Sequence, residues 1–336
     1  MARDRRWVIL CDEAGWRVAR LMSASIEESE PCPVDLSRAA ELATPIRDTL
    51  RDLDYRGEPE LLALGSEWCA SAAVPLPSSR HAKTRQAMAY LLEPYIPWAA
   101  EDVIVDFEIS GATAFMVAVE ASPWSTLVDG LEQQGVLVES IVPTARLALQ
   151  QHLRHVTGLL ERYMLLWRHD ESVECWLIDR GRPVDWQSLP ADQQSIARSL
   201  KVRLLNEDEP LSVYTQGFSE EAADDLGAAV GNGGCLQAIH DAAEYHTSTY
   251  LEAAEVLRGK RTPPINFRRD ALAIGDRDRA VRGYIGATWA AALLLLIALG
   301  VAFWWQAAQH DQCRTAAGDA PTPNDLPPGT PPPHQR

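Results

Sequence analysis

Short apolar runs broken by polar turns open the chain and set its first elements. Trp7–Cys11 and Trp16–Met22 flank Asp12-Glu13-Ala14-Gly15, a pattern that predicts a β-hairpin. Asp35 is suited to cap a helix running toward Leu53, with Pro45 expected to break or restart it. Glu60–Leu64 reads as a further strand. Ala87, Met88, Leu91 and Leu92 fall on one side of an amphipathic helix over 80–100, which Pro94 and Pro97 end. Strands at Val103–Ile109 and Thr113–Val119 meet at Ser110-Gly111-Ala112. A helix at Ser122–Gln134, a strand at Val136–Val142 and a helix from Thr144 to His155 follow.

The same grammar then repeats. Glu161–Trp167 and Val173–Asp179 alternate as strands, and Arg180-Gly181-Arg182-Pro183 turns the chain. Helices fit Ala191–Val202, Glu220–Val230 and Leu236–Leu257, with a strand at Leu211–Tyr214. Strand-rich openings followed by alternating helices, given twice, predict a mixed α/β protein of two related halves.

A different pattern begins at Tyr284. From there to Trp305 the sequence reads YIGATWAAALLLLIALGVAFWW, with no charged residue. At about 1.5 Å per residue, such a helix crosses a hydrocarbon core of about 30 Å. Aromatic residues cluster at both ends, Tyr284 and Trp289 on one side and Phe303, Trp304 and Trp305 on the other, as headgroup contacts require. Arg258, Lys260, Arg261, Arg268, Arg269, Arg277, Arg279 and Arg282 precede this stretch, and only Arg314 and Arg336 follow it. The positive-inside rule therefore predicts a cytoplasmic N-terminal side and a periplasmic C-terminal side. Residues 306–336 are hydrophilic and end in a proline-rich stretch, expected to be extended or disordered. The first residues, MARDRRWVIL, lack the apolar core of a signal peptide.

Charge narrows the partners. Residues 1–257 carry 21 Lys and Arg against 41 Asp and Glu, which disfavours nucleic acid, because phosphate neutralisation needs a basic face. The basic neck is attracted to anionic lipid. The six cysteines are scattered without a CxxC pair, and they suggest neither a disulfide framework nor a zinc site. Cys313 alone falls on the far side of the span. No GxSxG, HExxH or GxxxxGK[ST] occurs. His152 and His155 lie one helical turn apart, but such pairs are more often surface residues than metal ligands. Gly231-Asn232-Gly233-Gly234 reads as a turn, and Glu220-Glu221 with Asp224-Asp225 as a solvated helix face. No catalytic, cofactor-binding or metal-binding residue is assigned.

Pro75-Leu76-Pro77, then Lys83-Thr84-Arg85-Gln86-Ala87-Met88-Ala89-Tyr90-Leu91-Leu92-Glu93, then Asp102 and Val105-Asp106-Phe107, resemble the L component of the type II secretion system, the GspL family. The likeness continues through Phe115–Val119, Trp124, Leu127, Leu131 and Gly135 to Val142-Pro143. Pro264-Ile265-Asn266-Phe267-Arg268-Arg269 is similar to the segment preceding the span in that family, and to the peptide of PilN that docks on the actin-like PilM.

The resemblance implies a two-lobed actin-like (ASKHA-type) cytoplasmic domain over 1–262, with lobes at about 1–157 and 158–262. It further implies a basic neck at 263–283, the span at 284–305 and the tail at 306–336. The neck and anchor residues would be Arg268, Arg269, Arg277, Arg279, Arg282, Trp289, Trp304 and Trp305. Ile265, Asn266 and Phe267 would be candidates for docking back onto the body. The implied role is a non-enzymatic inner-membrane adaptor that recruits a GspE-like secretion ATPase and pairs with a GspM-like bitopic protein, with self-association as a homodimer. Actin-like proteins that bind ATP carry a glycine-containing acidic turn in each lobe. Of the equivalents here, Asp12–Gly15 is wrongly spaced and carries Glu13, and Arg168-His169-Asp170-Glu171 has no glycine and two adjacent acids. Two alternatives are a PilM/PilN-like pilus scaffold and a membrane-anchored ATP-binding enzyme of the actin/sugar-kinase class.

Overall fold

The computed structural model describes residues 6–22, 25–77, 84–205, 211–230, 236–239 and 243–273, and within a later helix 296, 298–302 and 304–305. The chain divides into two units, Met1–Ile274 and Gly275–Arg336.

The first unit opens with β1 (Arg6–Asp12) and β2 (Gly15–Leu21), paired antiparallel, with β3 (Ile26–Glu28) on the outer side of β2. α1 (Ala39–Asp52) runs through Pro45 without a break, a correction to the sequence expectation. Its buried face, Ala39, Leu42, Ala43, Ile46 and Leu50, supplies the packing that outweighs the lost backbone hydrogen bond. β4 (Glu60–Leu64) is fully buried, in keeping with its parallel pairing to β1 on one side and to β8 on the other.

Between β4 and β8 the chain builds a smaller antiparallel sheet from β5 (Cys69–Pro75), β6 (Val103–Ser110) and β7 (Thr113–Glu120), with β7 central. α2 (Arg85–Leu92) packs its Met88, Ala89 and Leu92 on this sheet, and its Thr84 side chain caps it by accepting from the Ala87 amide at 3.4 Å. The expected helix over 80–100 is therefore shorter. α3 (Ala121–Gln133) leads into β8 (Val138–Pro143) and α4 (Thr144–His155).

The second half repeats the plan. β9 (Arg162–His169), β10 (Ser172–Asp179) and β11 (Arg182–Pro190) form an antiparallel meander. α5 (Gln193–Leu205), β12 (Ser212–Gln216), α6 (Glu220–Val230) and β13 (Leu236–Ala238) complete it. The two large sheets have the orders β3-β2-β1-β4-β8 and β11-β10-β9-β12-β13, so in each the first strand lies between its hairpin partner and the first parallel strand.

α7 (Tyr245–Leu257) begins nine residues later than the helix expected from Leu236, because Leu236–Ala238 are drawn into the sheet beside β12. It then covers the first sheet rather than the second. Its Tyr250, Ala253 and Val256 pack with Val8, Leu10, Leu61 and Ala63. α1 and α3 cover the opposite face of that sheet. The outer face of the second sheet packs against α5 and α6.

The span expected at 284–305 lies mostly outside the described residues, as do Arg277, Arg279, Arg282 and Trp289. Among the described residues no helix is long and apolar enough to cross a membrane. Those described between 296 and 305 are helical, and Leu296, Leu299, Val301, Trp304 and Trp305 are exposed.

Candidate functional site

Two places in the first unit combine unusual chemistry with position, and the first is the edge of the first sheet. β8 is an outer strand, so the Ile141 amide and carbonyl turned away from β4 need partners. The neck supplies them. The Phe267 amide donates to the Ile141 carbonyl at 2.8 Å, and Asn266 Oδ1 accepts from the Ile141 amide at 3.0 Å. The Asn266 side chain thus takes the place of a strand carbonyl. The same oxygen accepts from the Arg268 amide at 2.9 Å, which fixes the turn. From β6, Asp106 accepts the Asn266 amide at 2.9 Å. Burial raises the Asp106 carboxyl above its ordinary value, against the opposing pull of the Asn266 amide and Arg85.

Ile265 and Phe267, either side of Asn266, are fully buried in the main core. Arg268 also turns inward, a correction to its expected place facing lipid. Its Nε donates to the Val138 carbonyl at 2.8 Å, and its other nitrogens reach the Leu272 carbonyl and the Glu132 carboxylate. A buried guanidinium is tolerable only with such complete pairing. Arg269 stays partly exposed, 3.6 Å from Asp106. The neck expected from 263 is accordingly, up to Leu272, part of the packed body.

The second place is the crevice between the two large sheets, lined by the β1–β2 turn, the start of the segment after β4, the β9–β10 turn and the first turn of α7. It encloses about 20 Å³, room for one water. Asp12, Glu13, Glu67, Asp170 and Glu174 all face it. Ser172 Oγ donates to Glu13 Oε1 at 3.2 Å, tying one hairpin turn to the other. Burial, and then the charges of Asp12, Glu13 and Glu174, push the Glu67 carboxyl up to about 7, while a backbone hydrogen bond pulls the other way. Gly15 serves the chain rather than a phosphate. Its φ is 131°, and a Cβ there would stand 2.2 Å from the Cys32 carbonyl oxygen, where residues 16 and 32 exchange backbone hydrogen bonds.

Glu174 is the buried hub of this region. It accepts from Ser66 Oγ at 2.5 Å, Trp186 Nε1 at 2.6 Å and His169 Nε2 at 2.9 Å. The His169 ring stacks on Tyr245 with centroids 3.8 Å apart, and Tyr245 Oη is 3.1 Å from Thr144 Oγ1. His246 Nε2 lies 2.8 Å from Asp170 Oδ2. Burial alone would raise the Asp170 carboxyl, but the hydrogen bond and charge of His246 hold it below its ordinary value. The sequence placed His169 and Asp170 in a turn but did not join them to His246, which is distant along the chain.

The pair His152 and His155 does not converge. His152 is buried, with Nδ1 3.1 Å from Gln216 Oε1 and its ring 5.4 Å from that of Trp167. Burial pushes it down to about 4, partly offset by Gln216.

Two sheets of like topology facing each other across a crevice, with a smaller sheet inserted in the first, define the mixed α/β actin-like class. No family model matches the chain, and no curated protein matches it. Among solved structures it is similar to a chain of the PilM–PilN type IV pilus biogenesis complex, at 14% identity over 76% of this chain and 99% of that one, with a TM-score of 0.58. It is also similar to the cytoplasmic domain of EpsL, an inner membrane component of the type II secretion system of Vibrio cholerae. That match has 14% identity over 80% and 99% of the two chains and a TM-score of 0.49. An actin-like protein of Bacteroides thetaiotaomicron matches at 12% identity over 74% and 96%, with a TM-score of 0.49.

Proposed function

We propose that the chain is a membrane-anchored scaffold of the secretion or pilus-assembly kind, and that it acts by binding proteins rather than by turning over a substrate. The observation that carries this reading is the neck segment seated along β8. An actin-like body whose open sheet edge takes up an extended Ile-Asn-Phe segment is built to hold a peptide through a main-chain hydrogen bond, a side chain that mimics a strand carbonyl and alternate apolar pockets. The sequence of that segment resembles both the GspL neck and the docking peptide of PilN, and the fold is similar to that in a PilM–PilN complex. In this chain body and peptide are one molecule.

The crevice supports the non-enzymatic part. A small-molecule ligand ordinarily occupies about 300–1,000 Å³. The crevice offers about 20 Å³, and five carboxyl groups at its walls oppose phosphate. On this reading ATP with magnesium leaves the melting temperature of the purified protein unchanged, and a rise that saturates with ATP would return the enzyme alternative to first place.

The apolar stretch 284–305 serves as the inner-membrane anchor, with the body cytoplasmic and residues 306–336 periplasmic; the exposed apolar side chains between 296 and 305 support this. The recruited partner is a GspE-like ATPase, and a GspM-like bitopic protein pairs with the span through small residues such as Gly286, Ala287 and Ala291. Fractionation tests the role. In host cells lacking the body but keeping the span, the secretion-type ATPase moves from membranes to cytosol. An ATPase that stays membrane-bound would sink the adaptor reading.

A further inference from the structure

We propose that His169, Asp170 and His246 form a binding site for one divalent transition-metal ion of the zinc class at the mouth of the crevice. Each residue offers one ligand atom, and the three atoms lie within 4.8 Å of one another. His246 Nε2 is 2.8 Å and His169 Nδ1 3.9 Å from the same Asp170 oxygen. A tetrahedral zinc with bonds of about 2.0–2.2 Å spaces its ligand atoms about 3.3 Å apart. An ion entering there displaces the proton that His246 Nε2 shares with Asp170, which leaves to solvent, and side-chain adjustments of less than about 1 Å close the site around it.

Glu174 is the independent observation that points to a ligand. Its buried carboxylate lies 2.9 Å from His169 Nε2 and engages that nitrogen, which leaves Nδ1, on the Asp170 side, as the ring atom available to an ion. A carboxylate behind a histidine, fixing its tautomer and raising its basicity, is the outer-shell arrangement of metal-bound histidines. In front of that histidine, Nδ1 and a carboxylate oxygen stand 3.9 Å apart, too far for a direct hydrogen bond and with room for an ion to bridge them.

The site is also held in advance. The His169 ring is clamped flat against Tyr245 at 3.8 Å. Asp170 adopts φ 43°, a left-handed conformation that directs its carboxylate back toward α7. Asp12, Glu13 and Glu67 along the same crevice concentrate cations there. Two imidazoles with one carboxylate favour zinc, nickel, cobalt or copper over magnesium and calcium. The side chains of His169, Asp170 and His246 are 15%, 56% and 32% exposed, so the remaining coordination position opens to solvent. His169 ends β9 of the second sheet, Asp170 sits in the turn that follows, and His246 lies on the helix covering the first sheet, so an ion there would tie the two sides of the crevice together. The inference stands apart from the scaffold reading, since a scaffold with or without a metal keeps its docked neck.

The test uses the full chain, purified in detergent and stripped with a chelator, then titrated with cobalt(II) and displaced with zinc. The expected result is one equivalent of cobalt with a visible ligand-field spectrum, bleached by zinc but not by magnesium. His246→Gln and Asp170→Asn weaken zinc affinity about tenfold or more, whereas His155→Gln leaves it unchanged. Zinc raises the melting temperature of the wild type and not of His246→Gln. Wild-type affinity in both His246→Gln and Asp170→Asn, displacement by magnesium as effective as by zinc, or no binding at all would each overturn the assignment.

Discussion

The β8 edge and the inter-sheet crevice are both openings of the first unit, and they were closed in opposite ways. At the edge, the polar groups of the incoming segment meet partners of the right kind: Asn266 serves Ile141, Asp106 receives the Asn266 amide, and Arg268 meets carbonyls and Glu132. In the crevice the walls are five carboxyl groups with little room between them, held together by Ser172, His169 and Tyr245. The first opening is complementary to peptide. The second is complementary to cations and hostile to phosphate. The two openings can therefore change independently, because sheet edges and crevice turns are set by different residues.

Phe267→Ala should break the comparison most severely. Truncating a fully buried phenylalanine costs about 3–5 kcal/mol, and here it also loosens the neck. Chemical denaturation of the full chain should show that loss, with new proteolysis between Arg258 and Arg269. A matching truncation in the crevice, His246→Ala, should cost less than about 1 kcal/mol, because the side chain is partly exposed.

The next effect concerns pH. His152 is held down to about 4 by burial, whereas the unfolded chain titrates near 6.5. As pH falls through that window the unfolded state takes up a proton that the folded state refuses. Stability should therefore decline by roughly 3 kcal/mol between pH 6.5 and 4 from this group. Subtracting the pH–stability curve of His152→Phe from that of the wild type isolates it; parallel curves would refute the burial argument.

Asn266→Ala is the most specific change. It leaves the Ile141 amide without its acceptor at a cost of about 1–3 kcal/mol, and Asn266→Asp should restore part of it by keeping an oxygen in place. Equal losses in the two variants would mean that side-chain volume, not the hydrogen bond, holds the strand.

Much of this architecture was legible beforehand because its strands are apolar and its turns are polar. Trp7–Cys11, Glu60–Leu64 and Thr113–Val119 each fall within an observed strand. β5, Cys-Ala-Ser-Ala-Ala-Val-Pro, escaped because small residues carry little periodic signal, and β11 because its buried Trp186 and Leu189 sit among polar neighbours. Pro45 misled because propensity is local whereas the α1 core contacts are not. The Ile265-Asn266-Phe267 motif was visible as a motif, but the groove that takes it is assembled from β6, β8 and α3. The histidine cluster was invisible for the same reason. Its members meet only because α7 crosses back to the first sheet and brings His246 to the β9–β10 turn.

The seating of residues 265–272 also sets a length. While Phe267 and Arg268 are in place, residues 265–272 belong to the packed body. Fully extended, the chain from Arg261 to Leu272 would span roughly 40 Å. Seating it against β8 therefore takes that length out of the reach of whatever follows in the chain, and undocking would expose the core that Ile265 and Phe267 now fill.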